Sequence, residues 1–486
     1  MTTRLQVMKF GGTSVGNAEC IGRAAEILAS AAREGSVVAV VSAMSGVTNR
    51  LIDAARKSEQ GDANAGNELA STLRQQHFQA IEILVHDDVS RERLAQQTEQ
   101  IIEEVRGLCR GTSLLRELTP RALDAISSVG ERLSARLLAG ALSELGLKAV
   151  AVEATELIVT DGTHGQSEPL MTGTRERATS RLRPLLDEGT IPVVTGFIGA
   201  TATGTLTTLG RGGSDYSATI LGAALDATEV IIWTDVDGVL TADPRLVPEA
   251  RTLREISYNE AAELAYFGAK VLHPKTLRPV AEAGIPVWIR NSFAPERYGT
   301  KITESGHPTA RGVKAITAIS DVTLITIGGR GIVGLPGVAA KTFTAAASAN
   351  ANVLLISQSS SGNDICFIIN SADAEQTVKE LRQAFAHDLA HQQVEHIIVN
   401  PDICIVAVVG DRMRGLPGIA GRTFSALGRQ NINIIAIAQG SSEYNVSVVV
   451  QAGILGEAVQ WLHREFGLER RASRFESVEA ENAVAS

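Results

Sequence analysis

The stretch VMKFGGTSVG, residues 7–16, joins a short apolar run to a lysine and a pair of glycines near the start of the chain. A helix pattern, NAECIGRAAEILASAAREG, begins at residue 17. Glycines at a strand-to-helix turn let the backbone approach phosphate oxygens, and the first N–H groups of the helix point outward there. In a P-loop the lysine follows the glycines and precedes Ser or Thr. The turn therefore predicts a different kind of phosphate site, with Lys9 on the strand.

Similar apolar runs recur along the first 290 or so residues and alternate with helix patterns. Five of them are typical of buried strands: SVVAVVSAM (36–44), KAVAVEA (148–154), IPVVTGFIG (191–199), EVIIWTDVDG (229–238) and IPVWIRN (285–291). Near-continuous apolar strands separated by helices favour a mostly parallel sheet that is covered on both faces. Residues 60–118 are instead polar with helical periodicity, which predicts a helical insertion.

An internal repeat follows. GLPGVAAKTFTAAASANANVLLISQSSS (334–361) returns without a gap as GLPGIAGRTFSALGRQNINIIAIAQGSS (415–442). Each copy has a strand before it, a helix and a strand within it, and another strand after it, so the order β-α-β-β-α occurs twice and predicts two ferredoxin-like domains. The expected organisation is an α/β domain over 1–300, a Pro-, Gly- and Ser-rich linker over 301–317, repeat domains over 318–400 and 401–475, and a tail over 476–486.

Bulk properties narrow the classes of function. The 486 residues contain 45 Lys and Arg against 54 Asp and Glu, a net charge of −9, which disfavours nucleic acid and anionic membranes as partners. Four cysteines without a CxxC pair are typical of reduced thiols in a cytoplasm. The first residues enter a strand pattern at once, and no apolar run approaches the roughly 20 residues of a membrane span. We therefore expect a cytoplasmic protein.

A second glycine-rich loop, LGRGGSDYSATILGAAL (209–225), also enters a helix and carries Arg211, Ser214 and Asp215. Such a turn taken alone is often only structural. Two glycine-rich helix starts with Lys, Arg and Asp among them could flank one polyphosphate and its acceptor.

Five motifs, taken in order along the chain, resemble the aspartokinase set within the amino-acid kinase family: KFGGTS (9–14), SVGERLS (128–134), GRGGSDYSA (210–218), WTDVDGVLTADPR (233–245) and FGAKVLHP (267–274). The repeat resembles the two ACT regulatory domains that follow that kinase domain. The helical insertion and the strings QSSS and AQGSSE are most similar to the threonine-sensitive kinase half of aspartokinase–homoserine dehydrogenase. No dehydrogenase module is expected, because the chain ends soon after the second repeat.

The resemblance implies an amino-acid-kinase sandwich with a mostly parallel central sheet, followed by two ferredoxin-like ACT α+β domains. It implies transfer of the ATP γ-phosphoryl group to the side-chain carboxylate of L-aspartate, giving 4-phospho-L-aspartate, the first step towards lysine, threonine and methionine. The acceptor carboxylate, with a reference pKa of roughly 3.9, is already ionised at neutral pH, so no general base is needed. Mg²⁺ is expected to arrive bound to ATP.

The same resemblance assigns the site residues. Lys9 is the electrostatic catalyst and Asp215 orients it. Arg211 is assigned to the substrate α-carboxylate by bidentate geometry, and Glu131 to its ammonium group. The remaining polar contacts to the substrate fall to Ser42, Thr48 and Ser214. The nucleotide is assigned to Lys9, Gly11, Gly12, Ser14, Thr234, Asp235, Asp243, Arg245 and Lys270.

The repeat predicts an amino-acid effector bound between paired ACT units, near Asn352, Gln358, Asn433 and Gln439. Asn352 and Asn433 are expected to start the second strand of each repeat, and Gln358 and Gln439 to end it. Threonine is favoured over lysine, because a buried ε-ammonium needs a carboxylate and Leu354 stands where lysine-sensitive relatives can carry Asp. ACT units usually pair through sheet edges, which predicts a homodimer or higher homo-oligomer.

Three alternatives are considered. A nicotinamide enzyme would need a dinucleotide fingerprint, and the GxGxxG spacing of Gly329, Gly331 and Gly334 is disfavoured as one because the next strand reads VLLISQ, without the expected acidic residue. The chain could be a catalytically inactive amino-acid sensor, although the intact Lys9, Glu131, Arg211 and Asp215 disfavour this. It could also be another amino-acid kinase, such as an acetylglutamate kinase, although the ACT pair disfavours that.

Overall fold

The computed structural model describes residues 4–269, 272–306, 312–329, 337–358, 364–413, 416–440 and 444–469. These residues form two compact units, and neither unit is one continuous stretch of chain. The first unit comprises the chain up to Val239, Arg254–Tyr258 and Val271–Gly306, and the second comprises Leu240–Leu253, Asn259–Lys270 and the chain from His307 onward.

An eight-stranded sheet organises the first unit, with the strand order β3-β4-β2-β1-β7-β9-β10-β8. Its strands are β1 (Leu5–Phe10), β2 (Ser36–Val41), β3 (Ala149–Val152), β4 (Ile191–Thr195), β7 (Glu229–Thr234), β8 (Glu255–Ser257), β9 (Val287–Asn291) and β10 (Thr300–Thr303). A separate ribbon contains β5 (Ile198–Ala200) and β6 (Leu206–Thr208). Every neighbouring pair in the large sheet is parallel except β9 and β10. The predicted mostly parallel sheet is confirmed.

Helices cover both faces of this sheet. They are α1 (Ala18–Ala32), α2 (Val47–Glu59), α3 (Ala65–Leu84), α4 (Asp88–Leu115), α5 (Pro120–Ser127), α6 (Val129–Glu144), α7 (Met171–Asp187), α8 (Gly213–Ala224) and α10 (Pro274–Ala283). Helix α1 begins where the Asn17 side chain accepts a hydrogen bond from the Cys20 backbone N–H, a typical N-cap. Its apolar stripe, including Ile21 and Leu28, packs in the same core as alternate residues of β1. Helices α3 and α4 lie within the predicted insertion.

A six-stranded sheet with the order β12-β13-β11-β14-β16-β15 organises the second unit. Its strands are β11 (Ala315–Gly328), β12 (Leu355–Gln358), β13 (Asp364–Asn370), β14 (His396–Val409), β15 (Ala436–Ala438) and β16 (Asn445–Gln451). Its helices are α9 (Tyr258–Tyr266, of which only the first residue falls in the first unit), α11 (Val338–Ser348), α12 (Ala374–Ala384), α13 (Ala386–Ala390), α14 (Ile419–Gly428) and α15 (Leu455–Glu465).

The two repeats share this sheet. Each contributes the predicted order, β11-α11-β12-β13-α12 and β14-α14-β15-β16-α15. The long first strands, β11 and β14, pair with each other in antiparallel fashion at the centre, with register shifts between Ile319 and Leu324. The predicted pair of ferredoxin-like units is therefore confirmed, and the two halves are joined through their first strands.

Two segments that precede the predicted linker belong to the second unit. In Leu240–Leu253, the Thr241 carbonyl accepts a hydrogen bond from the Ile316 N–H at 2.8 Å. In Asn259–Lys270, the Glu260 carboxylate forms an ion pair with Lys314 at 2.6 Å, and both side chains are almost completely buried. None of the described helices is long and apolar enough to cross a membrane.

Candidate active site

Lys9 lies on β1, a strand flanked on both sides by parallel neighbours, β2 and β7. Met8 and Phe10 belong to the core beneath α1, so alternation along the strand directs Lys9 to the opposite face of the sheet. There its Nζ forms an ion pair at 2.5 Å with Oδ1 of Asp215, a residue in the first turn of α8. Both side chains are largely buried. The two charged residues singled out from separate motifs therefore meet at one point.

The turn after β1 packs closely at both glycines. A Cβ built on Gly11 would lie 3.3 Å from Lys9 Nζ, and one on Gly12 would lie 3.1 Å from the Ala43 carbonyl oxygen. The Gly11 N–H donates to the Trp233 carbonyl at 3.1 Å, which ties the turn to β7. The glycines thus hold the turn close to the lysine ammonium, as a phosphate-binding turn requires.

Ser14 occupies a different environment from the one that its motif suggested. Its buried Oγ lies 2.8 Å from Ser292 Oγ and 3.3 Å from the Trp233 carbonyl oxygen. The cap of α1 is Asn17 instead. A contact between the Ser14 hydroxyl and a nucleotide would require the hydroxyl to give up one of these internal partners.

Glu131 is a buried carboxylate in the first turn of α6, with 3% of the residue exposed. Oε1 accepts a hydrogen bond from the Ala43 N–H at 3.2 Å, while Oε2 has no hydrogen-bond partner among the described residues. Burial raises the pKa of Glu131 to about 8, and the hydrogen bond from Ala43 and the Lys9 charge oppose that rise. A buried carboxylate with a free oxygen is suited to receive a cationic group.

Arg211 lies in the turn before α8, between two residues with left-handed backbone, Gly210 (φ +79°) and Gly212 (φ +71°). Its side chain is exposed and forms no ion pair with any described residue. Ser214 follows in α8 and is buried, and a Cβ on Gly196 would lie 2.7 Å from its Cβ. The loop therefore presents a free guanidinium beside a close-packed serine.

Ser42 and Thr48 lie on the segment that leaves β2. The Ser42 N–H donates to the Phe10 carbonyl at 3.1 Å, which places it level with the end of β1. Thr48 is the second residue of α2, after an N-cap at Gly46 with φ +78°. Both side chains are partly exposed, as a contact with a ligand requires.

The predicted nucleotide residues do not all fall in one unit. Thr234 ends β7, and its hydroxyl donates to Oδ1 of Asp235 at 3.2 Å. Asp243 and Arg245 belong to the second unit and form a salt bridge with each other at 2.5 Å. Lys270 lies outside the described residues. The first unit therefore brings together the Lys9, Glu131 and Asp215 cluster but only part of the nucleotide set.

The four candidate effector residues are exposed. Gln358 ends β12, and Gln439 directly follows β15. Asn352 and Asn433 lie in the connections before these strands, so the prediction that they start the strands is wrong. Hydrogen bonding to the neighbouring strand begins only later, where backbone pairing with β13 and β16 becomes regular.

Two features of the site escaped sequence analysis. Phe197 has a left-handed backbone (φ +71°), rare for a bulky residue, and a Cβ on Gly213 would lie 2.6 Å from its ring. Asp124, on α5, is buried and accepts hydrogen bonds from two separate segments that border the Arg211 loop. A polar residue in a helix pattern and a Phe after a strand carry no local signal of either role.

Residues 4–291 match the model of the amino acid kinase family, and residues 325–385 and 406–466 each match that of the ACT domain. The chain therefore belongs to the amino acid kinase family and carries two ACT domains.

The similar curated proteins include bifunctional aspartokinases. The chain is 36% identical over 469 residues to bifunctional aspartokinase/homoserine dehydrogenase 2 of Arabidopsis thaliana, covering 96% of this chain and 51% of that protein. It is also 36% identical over 472 residues to the bifunctional enzyme of Haemophilus influenzae, covering 95% and 56%. The chain thus spans about half the length of these curated relatives.

One solved structure matches this chain over nearly the full length of both proteins. Aspartokinase III of Escherichia coli, in complex with aspartate and ADP, is 32% identical with a TM-score of 0.78, and the match covers 95% of this chain and 99% of that one. The same protein has been solved with lysine and aspartate. The fold therefore matches that of aspartokinases through both the kinase part and the ACT domains.

Proposed function

We propose that this protein is an aspartate kinase, which transfers the γ-phosphoryl group of ATP to the side-chain carboxylate of L-aspartate. The observation that carries the proposal is the Lys9 and Asp215 ion pair beside the buried, half-satisfied Glu131, at the carboxyl ends of parallel strands. The similarity to an aspartokinase solved with aspartate and ADP supports the same substrates here.

The proposed mechanism is electrostatic. Lys9, held by Asp215, neutralises negative charge as the phosphoryl group passes between two anionic oxygens. The free oxygen of Glu131 takes the ammonium group of aspartate, and the exposed guanidinium of Arg211 takes its α-carboxylate. Ser42, Thr48 and Ser214 complete the polar contacts. The acceptor is already ionised at neutral pH, so no residue needs to remove a proton.

The nucleotide is proposed to bind against the glycine turn and the end of β7, with Thr234 and Asp235 nearby. Mg²⁺ is proposed to enter with the nucleotide, whose phosphates carry it. When bound, the ion would neutralise phosphate charge. The assignment of Asp243, Arg245 and Lys270 to the nucleotide rests on the motif resemblance alone.

Substrate identity can be tested by ADP release with L-aspartate, L-glutamate and N-acetylglutamate as separate acceptors. We expect turnover with L-aspartate and a hydroxamate product when hydroxylamine traps the acyl phosphate. Turnover of L-glutamate or N-acetylglutamate without L-aspartate would replace the proposal with another amino-acid kinase. Amino-acid binding without any ADP release would indicate an inactive sensor.

We propose further that the ACT domains bind an amino-acid effector and that threonine is preferred to lysine. The exposed amides of Gln358 and Gln439 can hydrogen-bond a neutral hydroxyl side chain, whereas a lysine ammonium needs a carboxylate. Threonine should inhibit, and Gln358→Ala or Gln439→Ala should relieve inhibition without lowering uninhibited activity. Inhibition by millimolar lysine but not by threonine would refute the assignment.

A homodimer or higher homo-oligomer is proposed to form through the ACT domains, over residues 320–470. Ile356 and Ile437 lie on β12 and β15, the two edge strands of the second unit's sheet, and are 52% and 44% exposed, so a second copy that extends the sheet would bury them. Light scattering at micromolar concentration should give at least twice the chain mass. A monomeric mass would contradict this.

A further inference from the structure

Asp124 is a buried carboxylate, 2% exposed, that the proposed mechanism does not use. Its Oδ2 lies 2.6 Å from His164 Nδ1, and its Oδ1 accepts a hydrogen bond from Thr208 Oγ1 at 2.6 Å. The Gly165 N–H also points at the carboxylate, 3.2 Å from each oxygen. Burying a carboxylate is costly unless its oxygens are satisfied, and these partners satisfy both. They come from two segments that are far apart in sequence.

Both segments border the loop that carries Arg211. Thr208 ends β6 immediately before that loop. The Gly165 carbonyl lies so near the loop that a Cβ on Gly210 would stand 2.9 Å from its oxygen. Ser167 adds two hydrogen bonds at 2.9 Å, from its N–H and its hydroxyl, to the Thr208 carbonyl. Asp124 therefore fastens both the strand that leads into the loop and the segment packed against it.

The segment that contains Gly165 and Ser167 is also held at Glu168. Glu168 pairs with Lys275 at 2.8 Å and accepts a hydrogen bond from the Tyr216 hydroxyl at 3.1 Å. On the other side, α5, which carries Asp124, runs through Ser128 directly into α6, which carries Glu131. One helical segment thus holds the proposed ammonium ligand and the anchor of the loop that bears the proposed carboxylate ligand.

We propose that Asp124 is a positioning residue that fixes the distance between Arg211 and Glu131, so that one α-amino acid can engage both. This proposal rests on the proposed function. A substrate whose α-carboxylate and ammonium must be bound together is sensitive to the separation of the two ligands. The nucleotide makes neither contact, so its binding is insensitive to Asp124. His164 and Thr208 act through Asp124 in the same way.

The test compares Asp124→Asn and Thr208→Val with wild type in steady-state kinetics. Asparagine keeps the size but offers one acceptor oxygen in place of two, and valine removes only the Thr208 hydroxyl. We expect the KM for aspartate to rise roughly tenfold in Asp124→Asn and about threefold in Thr208→Val, as for loss of a hydrogen bond to a charged group. The KM for ATP should stay within about twofold and kcat within about threefold.

Two controls separate positioning from general stability. Thr208→Ser keeps the hydroxyl and should restore the wild-type KM for aspartate. Asp226→Asn removes an exposed carboxylate that pairs with Arg175 elsewhere in the unit and should leave every constant unchanged. A purely structural role would lower the thermal midpoint and the active fraction without a selective rise in the KM for aspartate, and that result would overturn the proposal.

Hydrogen exchange provides a readout that does not depend on turnover. In Asp124→Asn and in Thr208→Val, backbone exchange should accelerate over residues 161–170 and 209–213, while exchange in β1 and β2 stays unchanged. If wild type lacks aspartate-dependent ADP release but this local acceleration occurs, the proposed function fails, while the anchoring of the Arg211 loop by Asp124 is still supported. If aspartate is turned over but neither variant changes local exchange or the KM for aspartate, the positioning role is refuted alone.

Discussion

Replacing Glu131 with glutamine should stabilise the ligand-free protein, and the gain should grow with pH. Burial raises the pKa of Glu131 to about 8 in the folded protein, above its ordinary value. The folded state therefore binds a proton that the unfolded state releases between roughly pH 4.5 and 8, so the stability contributed by this group is present at low pH and is lost as pH rises. Each pH unit in that window changes the free energy of unfolding by about 1.4 kcal/mol.

The Glu131→Gln variant lacks this titration but keeps an oxygen to accept the hydrogen bond from Ala43. The difference in unfolding free energy between variant and wild type should be small near pH 5 and reach about 4 kcal/mol at pH 8. The assay is thermal or denaturant unfolding of both proteins at pH 5, 6, 7 and 8, without aspartate or nucleotide. The first unit should melt several degrees higher in the variant at pH 8, because each kcal/mol shifts a domain of this size by roughly 2–4 °C.

Parallel pH profiles for the two proteins would refute the reasoning, because they would show that Glu131 titrates alike in the folded and unfolded states. The same variant should lose activity with aspartate, since a neutral amide cannot compensate an ammonium charge. Increased stability combined with lost activity is the signature of a functional buried carboxylate.

Three further outcomes follow from the charges of the molecule. Lys9→Ala should lower kcat roughly 100-fold or more with little change in ATP binding, and near-normal kcat in the folded variant would reduce Lys9 to a structural role. The ammonium group of aspartate favours ionised Glu131, so aspartate binding should release up to about one proton at pH 7 and the KM for aspartate should fall as pH rises towards 8. Calorimetry in two buffers of different ionisation enthalpy measures the proton release, and binding heats that do not depend on the buffer would contradict it. Glu260→Gln, which replaces the carboxylate of a buried ion pair with a neutral amide, should destabilise the second unit by about 3 kcal/mol, and an unchanged unfolding midpoint would count against the importance of that ion pair.

Local sequence patterns predicted most of the strands and helices of the fold. All five apolar runs predicted as strands of the first unit contain observed strands, because each run is apolar and ends at a turn signal. The run over 191–199 divides, however, into β4 of the large sheet and β5 of the separate ribbon. The repeat predicted its own order of elements, since two similar sequences must fold alike. Lys9 and Asp215 were identified because each lies in a short motif that resembles one of the amino-acid kinase family.

The remaining features depend on contacts between distant residues. Leu240–Leu253 joins the second unit through bonds such as that between Thr241 and Ile316, which no local pattern encodes. Ser14 has the residue type of a helix cap or a phosphate ligand, yet Ser292, at the end of a distant strand, takes its hydroxyl. Asp124 matters only because the chain returns twice to its carboxylate. Contacts of this kind between distant residues can be identified only when the whole fold is known.

The antiparallel pairing of β11 with β14 has a consequence for how the regulatory part folds. Within its own repeat, each of these strands lies at one edge of the three-stranded half-sheet, and that edge is paired only with the first strand of the other repeat. A chain truncated between the repeats would expose the long edge of β11 as a template for intermolecular strand addition, so the fragment should aggregate rather than remain half-folded. The two repeats should therefore unfold as one cooperative block rather than one after the other.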